Sequence, residues 1–267
     1  MTYWQEKVVL VTGGSSGLGR VIAEGFASAG ARVVIAALEA DAVRAAAEEM
    51  SAGGRNVLGI HANITRQEDV DRMFGETLSR FGRLDALVNN AGRSMRGKVL
   101  DTTPEQFREL MELNLIALVR CTRAAAPHLL KQRGHLVNIG SLAAKSSARW
   151  VGAYPATKHA VAAYSQQLRL ELGCQGLHVL LVCPGPIQRT DARLYPLEGL
   201  EDVPERARAP GAGVKVQGIP PAKLAAAILR ACERRQPELV MPGKARLLFA
   251  ISQLWPRLGD WIVLRKT

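Results

Sequence analysis

The run Val8-Val9-Leu10-Val11-Thr12-Gly13-Gly14-Ser15-Ser16-Gly17-Leu18-Gly19 decides the fold. Four consecutive apolar residues are what a parallel strand covered on both faces contains. The glycine-rich turn leads into Val21-Ile22-Ala23 and Phe26-Ala27, which read as a helix. Strand, tight turn and helix in that order aim the helix's first N–H groups at whatever sits above the turn, and phosphate is the natural guest. A Walker loop is excluded, because Arg20 and Val21 follow Gly19 where Lys and Ser/Thr would stand. The spacing is not Gly-x-Gly-x-x-Gly either, and Thr-Gly-x-x-x-Gly-x-Gly taken alone also suits an ordinary βα turn.

Outward from this turn, strand and helix patterns alternate. Arg32 to Ala37, Asn56 to His61, Leu84 to Val88, Gly134 to Ile139, Leu177 to Val182 and Glu238 to Met241 read as further strands. Between them, Ala40 to Met50 reads as a helix ended by Gly53-Gly54, and Gln67 to Phe81 repeats Val70, Phe74 and Leu78 on one face. Thr103-Pro104 opens a helix that runs towards Asn114, Val151 to Leu172 forms another, and Pro221 to Arg234 the last before the tail. The alternation predicts an α/β fold: a single Rossmann-type doubly wound parallel sheet of about seven strands, helices on both faces, and a ligand crevice at the strands' C-terminal ends.

At 267 residues, 48% of them hydrophobic, the chain can bury one large core, so one domain is expected over 1–267. Cys121, Cys174, Cys183 and Cys232 have no Cys-x-x-Cys spacing and read as reduced packing residues; no metal site is expected. With no leader pattern and no uninterrupted apolar run of ~18 residues, the expectation is a cytoplasmic protein without a transmembrane segment. The net charge of +11 is spread among acids, and no helix-turn-helix or finger pattern accompanies it, so no nucleic-acid partner is expected.

The chemistry centres on Tyr154 and Lys158. On a helix a spacing of four sets phenol and ammonium side by side. A phenol titrates near ~10, and an ammonium about 4 Å away contributes about 4 kcal/mol at an effective dielectric of ~20, before solvation and screening reduce it. Such a phenol can exchange protons near neutral pH. A lone Tyr-x-x-x-Lys is more often a plain helical pair; the companions give it weight. Ser141 follows the apolar run Leu136-Val137-Asn138-Ile139, Asn89-Asn90-Ala91-Gly92 sits at a strand end, Asn114 interrupts an apolar helical stretch, and Pro184-Gly185-Pro186-Ile187 closes the series.

In this combination and order, over roughly residues 5 to 190, the chain resembles the short-chain dehydrogenase/reductase family. The resemblance implies an NAD- or NADP-dependent enzyme interconverting a secondary alcohol and a carbonyl compound. It implies Tyr154 as proton donor or acceptor, Ser141 holding the substrate oxygen, Lys158 lowering the phenol's pKa and bonding the nicotinamide ribose, and Asn114 kinking its helix and holding a relay water. Cofactor contacts are implied at Gly13, Ser15, Ser16, Gly17, Leu18 and Gly19, at Leu38, Asn63 and Ile64, at Asn90, Ala91 and Gly92, at Tyr154 and Lys158, and at Pro184, Gly185, Ile187 and Thr190; Asn89 and Gly92 would border the cofactor and steady the sheet. Two positions depart from the pattern. Ala37 and Leu38 carry neither the acid usual with NAD nor the arginine usual with NADP, and Asn63 replaces an aspartate. Glu39 leans towards NAD, whereas Arg20 or Arg44 would favour NADP, so the preference stays open. These departures also admit a catalytically silent dinucleotide-binding regulator or scaffold. The implied assembly is a homodimer or homotetramer through the helices carrying Asn114 and Tyr154.

Residues 187–221, rich in Pro, Gly and Arg, read as a substrate loop. The tail 244–267 sets Leu247, Leu248, Phe249, Ile251, Leu254, Trp255, Leu258, Trp261, Ile262, Val263 and Leu264 between Lys244/Arg246 and Arg265/Lys266, and Pro256 divides it into two amphipathic pieces. Packing on the body or a partner subunit, covering a lipophilic substrate pocket, and membrane-surface contact are the three readings.

Overall fold

A computed structural model describes residues 2–188, 203–208 and 218–266. Seven parallel strands, β1 Val8–Thr12, β2 Arg32–Ala37, β3 Val57–His61, β4 Ala86–Asn89, β5 His135–Ile139, β6 His178–Pro184 and β7 Glu238–Met241, form one sheet in the order 3-2-1-4-5-6-7. The helices are α1 Gly17–Ser28, α2 Ala40–Ser51, α3 Gln67–Phe81, α4 Pro104–Met111, α5 Ala117–Lys131, α6 Tyr154–Leu172, α7 Glu205–Arg208, α8 Pro221–Glu233, α9 Ala245–Leu254 and α10 Pro256–Lys266. The strand order reverses between β1 and β4, which opens a crevice at their C-terminal ends.

The apolar run of β1 explains the layering. All five of its residues are buried, and alternate ones serve opposite cores. Val9 and Val11 pack with Ile22 and Phe26 of α1 and with Leu224 and Ile228 of α8. Val8 and Leu10 join Val70 and Phe74 of α3, Leu129 of α5 and Leu168 of α6. A strand sandwiched this way needs apolar side chains on both faces, hence a continuous run rather than an alternating one.

Two helix boundaries bear on the site. Thr103 caps α4 with a reciprocal box: its side chain accepts from Gln106 N, while the Gln106 side chain accepts from Thr103 N. The helix then passes through a π-helical turn, Glu112–Ile116, before continuing as α5. Helix α6 starts at Tyr154 rather than at the expected Val151, which instead bridges Gly97. Pro155 is the reason: without an N–H it is admissible only in a first turn, and a start at Val151 would set it deeper. The tail folds as expected into two helices divided at Pro256, and no helix among the described residues is long and apolar enough to cross a membrane.

Candidate active site

A cleft of about 1220 Å³ lies at the C-terminal edge of the sheet, running from the glycine turn past Tyr154 to the tail helices. It exceeds the ~300–1,000 Å³ of a usual small-ligand site, leaving room for a dinucleotide and a substrate together.

The glycine turn forms its floor. Thr12 at the end of β1 accepts from the backbone N–H groups of Asn90 and Ala91, both 3.1 Å, and Asn90 Nδ2 donates to Thr12 O at 2.9 Å. These bonds fasten the turn to the end of β4. Gly17 adopts φ +54 with nothing within 4 Å of a would-be Cβ, so the backbone there is bare towards the cleft. Gly19 is required by contact: a Cβ would lie 2.1 Å from Gly13 O. Ser16, the N-cap of α1, makes no side-chain cap bond, and no acid occupies the first turn. The helix's leading N–H groups are thus without a side-chain acceptor at a cleft wall, an arrangement that suits a pyrophosphate.

At the end of the cleft next to β2 and β3, Ala37, Leu38, Asn63 and Ile64 line it with Arg20 and Glu24. Arg20 is held by Glu24 at 2.9 Å and Glu49 at 2.6 Å. Arg44 pairs with Asp41 at 2.8 Å in solvent. Asn63 Oδ1 is engaged by Thr65 N and Thr65 Oγ1, at 3.1 and 2.7 Å, leaving the Nδ2 amide as the group this side chain can turn to a base.

At the chemical end, Ser141, Tyr154 and Lys158 line the same wall. Ser141 follows β5 and Gly140, and its Oγ accepts from Ala143 N at 3.1 Å, which leaves the hydroxyl proton to donate. Tyr154 is the first residue of α6, and Lys158 Nζ sits 5.8 Å from its ring centre. The ammonium is buried and donates to Ile139 O at 2.8 Å. Burial pulls its pKa down from 10.5 to about 8. The neighbouring Cys183 thiol, itself pushed up to about 12 by burial, carries no compensating charge at neutral pH.

Of the sequence-derived site residues, Gly13, Ser16, Gly17, Leu18, Gly19, Leu38, Asn63, Ile64, Asn90, Ala91, Gly92, Ser141, Tyr154, Lys158, Pro184, Gly185 and Ile187 line this cleft. Ser15 stands back from it, and Thr190, with most of the expected substrate loop, lies outside the described residues. Asn89 serves the sheet only: it is buried, and its Nδ2 donates to Thr122 Oγ1 and Asn138 Oδ1. Asn114 lies beneath the cleft wall. Its Oδ1 accepts from Arg93 N, and its Nδ2 donates to Arg93 O and Thr157 Oγ1, all at 2.9–3.0 Å. Both amide hydrogens are therefore committed to the protein, and Oδ1 keeps one lone pair beyond its bond from Arg93 N.

Two residues escaped the sequence reading. Thr157, fully buried, links Asn114 to α6 by accepting from Asn114 and donating to Tyr154 O at 2.8 Å. Its place between Tyr154 and Lys158 was the available signal. Arg96 is buried in the cleft wall, donating from Nε to Ala207 O and from a terminal nitrogen to Ser94 Oγ, each 2.8 Å. Nothing in its local sequence marks it.

Comparison with known proteins agrees with this geometry. A family model described as short chain dehydrogenase matches residues 7–195. An L-fucose dehydrogenase of Mus musculus is 38% identical over 188 residues, 70% of this chain and 67% of that one. Dehydrogenase/reductase SDR family member 7B of Danio rerio is 34% identical over 268 residues, 95% of this chain and 83% of that one. Among solved structures, a short-chain dehydrogenase from Streptomyces avermitilis superposes with TM-score 0.79 at 31% identity, covering 98% of each chain. One from Burkholderia phymatum, in complex with NAD, gives TM-score 0.82 at 24% identity over 95% and 96% of the two chains, a likeness of fold.

Proposed function

Because the chain belongs to the short-chain dehydrogenase family and is an NAD(P)-dependent oxidoreductase acting on CH–OH groups, we propose that it interconverts an amphipathic secondary alcohol and its ketone through Tyr154, as a single catalytic domain. The observation that carries this is the desolvated Lys158 ammonium one helical turn from Tyr154, with the Ser141 hydroxyl on the same wall.

The nicotinamide, when bound, supplies or accepts the hydride at the carbinol carbon. Tyr154 gives its phenolic proton to the carbonyl oxygen in reduction and takes it back in oxidation. Lys158 remains protonated below about pH 8. Its charge, little screened in a dry site, favours the phenolate over the phenol. Ser141 donates its free hydroxyl proton to the same substrate oxygen, where negative charge grows in the transition state. Asn114 is a positioning residue: its amide holds the Arg93 loop against α6.

The substrate end is bounded by Leu142, Leu248, Phe249 and Val263. Leu142, immediately after Ser141, packs against the same buried apolar cluster as Ala245 and Phe249, which supports an apolar substrate portion lying beyond the carbinol. At the adenosine end, Arg20 between Glu24 and Glu49, with Glu39 beyond, makes a net negative surrounding that disfavours a 2′-phosphate and supports NAD. Exposed Ile116 and Leu170, beside Asn114 and on α6, are consistent with a homodimer or homotetramer built through these helices.

The test is turnover of ketones of increasing chain length with NADH and with NADPH, alongside Tyr154→Phe. Wild-type protein is expected to prefer NADH and the longer ketones, and Tyr154→Phe to bind NADH while losing about 10²–10⁴-fold in kcat. Full turnover by Tyr154→Phe would overturn the mechanism. NADH binding without turnover of any ketone or alcohol would favour a silent dinucleotide-binding protein.

A further inference from the structure

The helices that close the substrate end of the cleft turn apolar surfaces the other way as well. On α9, Ala245, Leu248 and Phe249 face the cleft, while Leu247, 69% exposed, and Leu254 stand on the opposite side. On α10, Val263 faces the cleft, and Leu258, Trp261 and Leu264, spaced i, i+3 and i+6, form a ridge on the outside, Trp261 being 49% exposed. Trp255, 60% exposed, joins the two rows. The helices cross in close contact, since a Cβ on Gly259 would fall 2.6 Å from Ser252 Cα. A helix pair facing water alone would show polar residues on its outer side.

Charge accompanies the ridge. Residues 244–267 carry Lys244, Arg246, Arg257, Arg265 and Lys266 against the single acid Asp260. The Arg265 guanidinium lies 3.9 Å from the Trp261 ring centre, a pairing that keeps a cation beside an amphipathic ring at one level. Tryptophan, leucine and arginine mixed on one exposed face match the headgroup boundary of an anionic bilayer, where rings and aliphatic side chains sink below the phosphates and cations stay among them. A second copy of the chain fits less well, because a two-fold contact would lay this face on itself and bring its cations together with only Asp260 to offset them.

We propose that α9 and α10 lie on an anionic membrane surface with Leu247, Leu254, Trp255, Leu258, Trp261 and Leu264 inserted, so that an amphipathic alcohol or ketone enters the cleft directly from the lipid. The entry route rests on the reading of the substrate given above; the docking does not. Their opposite sides, Leu248, Phe249 and Val263, continue the apolar surface from the bilayer to the site.

The experiment uses the full chain with vesicles of phosphatidylcholine alone and of phosphatidylcholine mixed with phosphatidylserine, at moderate salt. Binding is read by co-sedimentation, and oligomeric state by sedimentation velocity. Wild-type protein is expected to bind the mixed vesicles and not the neutral ones. The double variants Leu258→Glu/Trp261→Glu and Arg257→Glu/Arg265→Glu are each expected to bind at least about tenfold more weakly. Both should turn over a short water-soluble ketone at the wild-type rate while losing about tenfold in kcat/KM on a long-chain ketone presented in the mixed vesicles, since none of the four residues lines the cleft. Failure of wild-type protein to bind mixed vesicles, or equal binding by the variants, would overturn the proposal. So would dissociation of an oligomer by Leu258→Glu/Trp261→Glu in a protein that ignores vesicles, which would assign the face to a second copy. Vesicle binding without turnover of any ketone would keep the docking and sink the reductase reading instead.

Discussion

Lys158 shows how a single residue pays for function with stability. Its folded pKa, about 8, lies below the ordinary 10.5, so the native state loses this proton first as pH rises. Between pH 8 and 10.5 the unfolded chain binds more protons, and stability therefore increases with pH through that window. Below pH 8 the full cost of burying the charge is present, up to about 3 kcal/mol, reduced by its bond to Ile139 O. Lys158→Met, similar in length and uncharged, is expected to abolish turnover yet unfold at higher urea at pH 7, by about 1–3 kcal/mol, with the advantage shrinking towards pH 10. A variant less stable than wild type at pH 7 would show that the ammonium is not held at the expense of desolvation.

Among the elements, the π turn Glu112–Ile116 and helix α6 act as a pair. A π turn inserts extra backbone into a helix and redirects the side chains beyond it. Here it brings the Asn114 amide to the Arg93 backbone and to Thr157, and Thr157 in turn bonds the peptide of Tyr154. Helix α6 is thereby pinned at its first turn, where a frayed helix would misplace the phenol. Thr157→Val keeps the shape and removes these bonds, leaving Asn114 Nδ2 short of an acceptor. The expected result is a loss of about 1–3 kcal/mol in urea unfolding together with a lower kcat and little change in NADH affinity. Unchanged kcat would confine Thr157 to packing.

For the molecule as a whole, the sheet's two edges have opposite duties: the C-terminal edge is open for ligand, and the N-terminal edge is sealed. His135 and His178 start adjacent strands in register, with Nδ1 to Nδ1 at 2.8 Å. His178 Nε2 faces Gln236 O, which can only accept, so Nε2 carries the proton and His178 Nδ1 accepts from His135 Nδ1. His135 Nε2 is then left to accept from the Tyr3 hydroxyl, 2.7 Å away. Every ring nitrogen is used with both rings neutral. Burial holds the two at about 3 and about 4, His135 being lowered further by its neighbour. Depressed histidine pKa values mean that the unfolded chain takes up protons first as pH falls below 6.5, so stability is lost between about pH 6.5 and 4, at up to about 1.4 kcal/mol per pH unit for each proton. Melting temperature should fall across this range, and the fall should be shallower in His135→Phe/His178→Leu; equal slopes would place the acid sensitivity elsewhere.

What the sequence determined by itself was local in origin. The apolar run of β1, the glycine turn, the Thr103-Pro104 cap and the Tyr154-to-Lys158 spacing are readable because each encodes its geometry within a few residues, and together they specified the α/β sheet and the wall of the cleft. Tertiary structure decided whatever depends on distant partners. Arg20 was an open candidate for a 2′-phosphate until Glu49, 29 residues away, was seen to share it with Glu24. Asn114 could not be known to be committed to Arg93 and Thr157, because those bonds span 21 and 43 positions. Arg96 reaches Ala207 across 111 positions. The tail's amphipathic pattern left three readings open, and only its seating on the cleft showed that one side of each helix lines the cleft while the other is exposed.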